Sequence, residues 1–211
     1  VERISKIPGT KVAVMKPGEM SVIHLNMTMP PLDDVRVRRA IAHAVNRDAM
    51  VQFKGPDVTL AAVSPVPEGY LGFTDDVPTY EYSIEKAKAL LAEAGHPDGV
   101  TIKAIHTTLP GMITTMEAIQ ALLREADINL EIETVEHATF HEQIRKDLSQ
   151  VTHYSAARFP VADTYLTQFF HSDSIVGTPT AVTNFSHCAV ADDEITGARV
   201  ATDPEKQLEL W

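Results

Sequence analysis

Two histidines stand four residues apart, His137 and His141, and another adjoins the single cysteine as His187-Cys188. A pair at i and i+4 shares one helical face and could hold zinc if a third ligand converged on it. The neighbouring residues do not complete that pattern. The acid, Glu142, follows the second histidine, and no further histidine stands four beyond it. Such spacings arise by chance in a histidine-rich chain, so both read as ordinary surface residues. Nucleophilic chemistry finds no Gly-x-Ser-x-Gly turn, and Cys188 lacks a flanking signature, which leaves it a small buried side chain. Lys16-Pro17-Gly18 and Gly55-Pro56-Asp57 read as turns, and no glycine loop cradles a phosphate or dinucleotide. The expectation is a binding module with no catalytic residues, no metal and no cofactor.

Composition narrows what such a module would bind. The 211 residues suffice for one sizeable core, with 44% hydrophobic and 22% charged residues. A net charge of −11 disfavours nucleic acid and anionic membrane as partners, because both reward basic surfaces. One cysteine excludes an intrachain disulfide and a cysteine zinc cage, and no apolar run reaches membrane-spanning length.

The elements that would position a site fall into four stretches. Residues 1–32 read as opening strands around the Pro17-Gly18 turn. Residues 33–54 read as one helix, capped by Asp33 or Asp34. Val37, Ile41, Ala44, Val45 and Ala49 lie on its apolar face, and Arg36, Arg39, His43 and Arg47 lie mostly on the other. Residues 55–80 are rich in Pro and Gly and read as a long irregular loop. Across 81–211, helix and strand alternate: a capped helix at "SIEKAKALLAEAG", then strand "GVTIKAIHT", helix "MITTMEAIQALLREA", strand "INLEIETVE", helix "TFHEQIRKDLS", strand "VTHYSAA" and helix "ADTYLTQFF". That alternation predicts an α/β layer with a mainly parallel sheet. Asp203-Pro204-Glu205 starts a further helix, which suggests a chain cut at both ends.

The stretch "LNMTMPPLDDVRVRRAIAHAVNRDAMV" resembles the family-5 solute-binding proteins of ABC importers, the peptide-, nickel- and oligosaccharide-binding group. "SPVPEGYLGF", "YSIEKAKALLAEAGHPDGVTI", "AIQALLREADINLEIETVE" and "DDEITGARVATDPEKQLELW" follow in that family's order. The resemblance implies a periplasmic-binding-protein-like (type II) lobe, with residues 1–211 forming most of the second of two lobes. The first lobe and signal peptide would lie upstream and a closing segment downstream. It implies capture of a small peptide-like, opine-like or oligosaccharide solute and delivery to a membrane permease by a periplasmic or lipid-anchored monomer. The alternative is a hydrolase or sensory protein on the same scaffold. The arginines of the first helix would be scaffold residues that salt-bridge their neighbours.

Open α/β sheets bind ligands beyond the carboxyl ends of their strands. One such loop carries Thr107, Thr108 and Gly111 at a helix start, where free amides favour an anion. The other carries Tyr154, Ser155, Arg158 and Phe159. Where peptide-binding relatives place a tryptophan and then an aspartate, this chain has Ser155 and Arg158. Arg158 is therefore expected to read an anionic or carbonyl-rich group with its planar fork. Its competing fates are open solvent or a pair with Asp163.

Overall fold

Strands β1 (Glu19–Leu25), β2 (Val100–Thr107), β3 (Ile128–Val135) and β4 (Val151–Ala157) form one sheet in the order β1-β4-β2-β3. The chain is seen in a computed structural model that describes residues 2–13, 18–177 and 183–211. β2 and β3 run parallel in register from Val100↔Ile128 to Thr107↔Val135. β4 is parallel to β2 through one bridge, Ala104↔Val151, and β1 closes the edge antiparallel to β4. The sheet is thus mixed, with β4, β2 and β3 parallel and only β1 antiparallel.

Helices cover both faces, as a mostly parallel sheet requires. α2 (Val35–Ala44), α4 (Ile84–Glu93) and α5 (Pro110–Glu125) bury Val37, Ile41, Leu91, Met116 and Leu123 against Ile102 and Leu130. α6 (His137–Arg145) and α7 (Ala162–Phe170) cover the other face with Phe140, Ile144, Tyr165 and Phe169. α8 (Asp192–Val200) packs on α7, and α9 (Pro204–Leu210) packs on α8. Tight backbone approaches set the β2–β3 spacing. Gly99 sits at φ 91°, where a Cβ would fall 2.1 Å from the carbonyl oxygen of Asp127. That same carbonyl accepts from Val100 N at 3.1 Å and begins the ladder.

Three expectations change. The predicted helix over 33–54 is two helices, α2 and α3 (Arg47–Lys54). Val45 is extended, and the Asn46 side chain accepts from Ala49 N at 2.9 Å, so a polar cap competes with helix continuation. Among the described residues the opening region carries one strand, β1, after a short α1 (Glu2–Ser5). Residues 10–13 lack regular structure, and 14–17 lie outside the described residues. The arginines mostly brace backbone carbonyls. Arg36 donates to Glu93 O at the end of α4 while pairing Asp34, Arg38 donates to Leu32 O, and Arg47 donates to Tyr80 O.

Candidate functional site

The parallel strands β2, β3 and β4 end on one edge, at Thr107, Val135 and Ala157. Thr107 is wholly buried, and its hydroxyl accepts from Leu109 N at 3.3 Å just before α5 begins. The start of α5 is less open to an anion than its sequence suggests. Pro110 has no N–H, and the amides of Met112 and Ile113 both donate to Leu109 O. Thr108 N is likewise spent on Val135 O at 3.1 Å.

From Thr107 a line of side-chain contacts crosses to the second loop. His137 Nδ1 lies 3.2 Å from Thr107 Oγ1, and its ring meets His141 edge-on at 4.6 Å. His141 meets Tyr154 at 6.2 Å, Tyr154 meets Phe169 at 6.2 Å, and the Arg158 guanidinium stands over Phe169 at 5.7 Å. His137 and His141 are half-buried, not freely solvated, because α6 lays them against the strand ends. Burial, with His137 and Arg145 nearby, pushes the His141 imidazole below its ordinary range. Its Nδ1 is buried with no hydrogen-bond partner among the described residues.

Arg158 takes neither competing fate. Its Nε donates to Gln168 Oε1 at 2.6 Å and its Nη1 to Ala157 O at 3.0 Å, which leaves Nη2 without a partner among the described residues. Asp163 instead pairs with Arg199 at 3.3 Å. The loop is anchored from behind by Tyr165, whose hydroxyl accepts from Arg158 N and donates to Gly18 O, both at 3.1 Å. Tyr165 and Phe169 are core residues.

The remaining predicted residues fall outside the line. Ser155 alternates to the opposite side of β4 from Tyr154 and pairs in register with Ser21, and Phe159 is 78% exposed. Among the described residues no three His, Cys, Asp or Glu side chains could hold a metal. His187 bonds Asp147 at 2.9 Å, and Cys188 is only half-buried. Sequence reading missed His137, His141 and Gln168 as partners of the site, and also His106 and His153 behind it. No local pattern signals contacts made across 10 to 47 residues.

The profile of the bacterial extracellular solute-binding proteins, family 5 (middle), matches residues 1–176. The chain belongs to this family. It is 41% identical over 87 residues to the dipeptide-binding protein of Escherichia coli K12, covering 41% of this chain and 16% of that protein. Its identity to heme-binding protein A of Haemophilus influenzae is 34% over 92 residues, covering 44% and 17%. The family-5 lobe superposes over its whole length on 43% of MoaA from A. tumefaciens R10, a structure in complex with mannopinic acid, with 47% identity and a TM-score of 0.94. HbpA2 from Haemophilus parasuis matches at 28% identity and a TM-score of 0.88, over 99% of this chain and 42% of that one. The fold is therefore a lobe of the type II periplasmic-binding-protein kind, and the chain spans less than half the length of these relatives. They are binding proteins. No helix among the described residues is long and apolar enough to cross a membrane.

Proposed function

We propose that this chain supplies one lobe of a two-lobed solute-binding protein, which captures a small anionic solute in the periplasm and hands it to an ABC permease. The observation that carries this reading is the unbroken line of contacts from Thr107 to Arg158 along the carboxyl edge of a family-5 lobe. The Nη2 end of Arg158 offers planar donors to a carboxylate, on a guanidinium already oriented by Gln168 and Phe169. Tyr154 gives an aromatic surface for stacking, and His137 and His141 add imidazole donors and acceptors. A second lobe of the same protein closes over the solute, so binding is a shift from open to closed states and this lobe alone binds weakly. The protein works as a monomer, free in the periplasm or lipid-anchored, with no chemistry on the solute.

The solute class follows from the cation at this edge and from the 47%-identical MoaA structure with mannopinic acid. An opine-like acid fits better than a free peptide held by its amino group, because Arg158 occupies the position where peptide-binding relatives resemble one another in carrying an aspartate. Calorimetric titration of the full-length protein with mannopinic acid tests this, with the dipeptide Met-Leu as control. Saturable binding of the acid alone, with the acid recovered unchanged, supports the reading. Binding of Met-Leu alone, or turnover of either compound, overturns it.

A further inference from the structure

We infer that His106 and His153 are positioning residues, a hydrogen-bonded pair that sets the spacing between the two loops assigned to the solute and loosens in acid. This rests on the proposed function for its ligand, but its geometry is independent of it. The loops leave β2 and β4, which share the single bridge Ala104↔Val151. His106 and His153 each stand two residues past that bridge, and thus directly opposite one another on one face. Their rings stack at 10°, with His106 Nε2 3.1 Å from His153 Nδ1. Beyond the bridge this contact joins the strands just before Thr107.

The partners fix the protons. The carbonyl of Thr107, 3.0 Å from His106 Nδ1, can only accept, so that nitrogen carries hydrogen. Neutral His106 then accepts at Nε2, and His153 donates from Nδ1. His153 Nε2, 2.9 Å from Ser21 Oγ, accepts from that hydroxyl. The chain runs from Ser21, exposed on β1, through two buried rings to the backbone of Thr107. One added proton fits only if the Ser21 hydroxyl turns round. A second sets N–H against N–H across the pair.

Most of the surroundings oppose either proton. Burial lowers the His106 pKa, and burial first, then any proton taken up by His106, the charge on Lys54 and any proton taken up by His24, lowers His153 to about 4. His24 comes from β1 and Lys54 from the end of α3. Lys54 donates to Thr115 on α5 at 3.0 Å, His137 on α6 reaches Thr107, and β3 sets Thr134 opposite His106. Among the described residues only the Thr107 carbonyl favours a charged His106, so a charged pair loses more than it gains and pushes the strand ends apart.

The test uses the full-length protein and three forms of position 153. His153→Asn keeps an amide donor near the Nδ1 position but cannot titrate, whereas His153→Leu fills the space without a bond. Nitrogen NMR of the unliganded protein should show both Nδ1 atoms protonated at neutral pH. The Thr108 and Arg158 amide signals should move together with the acid titration of the pair, stay still in His153→Asn, and be displaced at all pH values in His153→Leu. For mannopinic acid, His153→Leu should weaken binding about tenfold at neutral pH while the melting profile stays cooperative, the cost of losing one buried hydrogen bond. His153→Asn should bind like the parent at neutral pH and outbind it only as the pH falls toward about 4, where the parent pair takes up a proton. Unmoved Thr108 and Arg158 signals in His153→Leu overturn the positioning role whether or not mannopinic acid binds. Displaced signals with no mannopinic acid binding to the parent uphold the role and sink the assigned solute instead.

Discussion

β2 has two parallel neighbours, and it meets them in different ways. Toward β3 the backbone does the pairing, eight residues against eight from Val100↔Ile128 to Thr107↔Val135. Toward β4 there is one bridge, and side chains take the other bonds: Gln150 Oε1 accepts from Lys103 N at 2.7 Å and Ser149 Oγ from Ile105 N at 2.9 Å. The histidine pair continues that side-chain seam to the strand ends. A backbone ladder has one spacing, fixed by peptide geometry. A seam of hydroxyl, amide and imidazole can be altered by single substitutions and by pH. The candidate solute edge spans the second kind of join.

The ladder should break hardest at Gly99→Ala. A Cβ at positive φ would fall 2.1 Å from the Asp127 carbonyl, so we expect a loss of about 3 kcal/mol or more, read from urea unfolding. Acid attacks the seam instead. His24 and His153 fall from 6.5 to about 4 on folding, so the unfolded chain binds more protons between those values. Stability is therefore full above pH 6.5 and falls as pH drops toward about 4, by up to about 3 kcal/mol for each independent group. A denaturation series across that range checks the slope, and His153→Asn should flatten part of it. Ser149→Ala strands the buried Ile105 amide and should cost about 2 kcal/mol, with faster hydrogen exchange at that amide. The smallest effect is on binding alone. Arg158→Ala should weaken mannopinic acid more than about tenfold with little change in melting, and an unchanged Kd would remove Arg158 from the site.

Much of the β3 side was legible in the chain. "VTIKAIHT" and "INLEIETVE" alternate as strands, Ser83 caps α4 by accepting from Lys86 N, and Asp203 caps α9 by accepting from Glu205 N. These rest on periods of two and 3.6 residues and on caps within three residues, all local. The break at Asn46 was equally local, yet the apolar spacing continued through it and hid the cap. The seam was not legible in this way. Ser149 reads as the end of a helix, Gln150 falls between that helix and the next strand, and His106 and His153 read as strand residues without a task.

Composition, caps and apolar periodicity determined by themselves that this chain builds an α/β layer, and the ordered motifs pointed to its family and to a lobe. They also put Thr107 and Arg158 at strand ends. Only the tertiary structure decided what those residues touch: that Thr107 meets His137, that Arg158 is held by Gln168 and not by Asp163, and that two histidines 47 residues apart meet within hydrogen-bond distance between strands. The physical reason is range. Element type follows from forces between near neighbours in sequence, whereas a hydrogen bond of 3.1 Å depends on where the sheet sets two distant backbones.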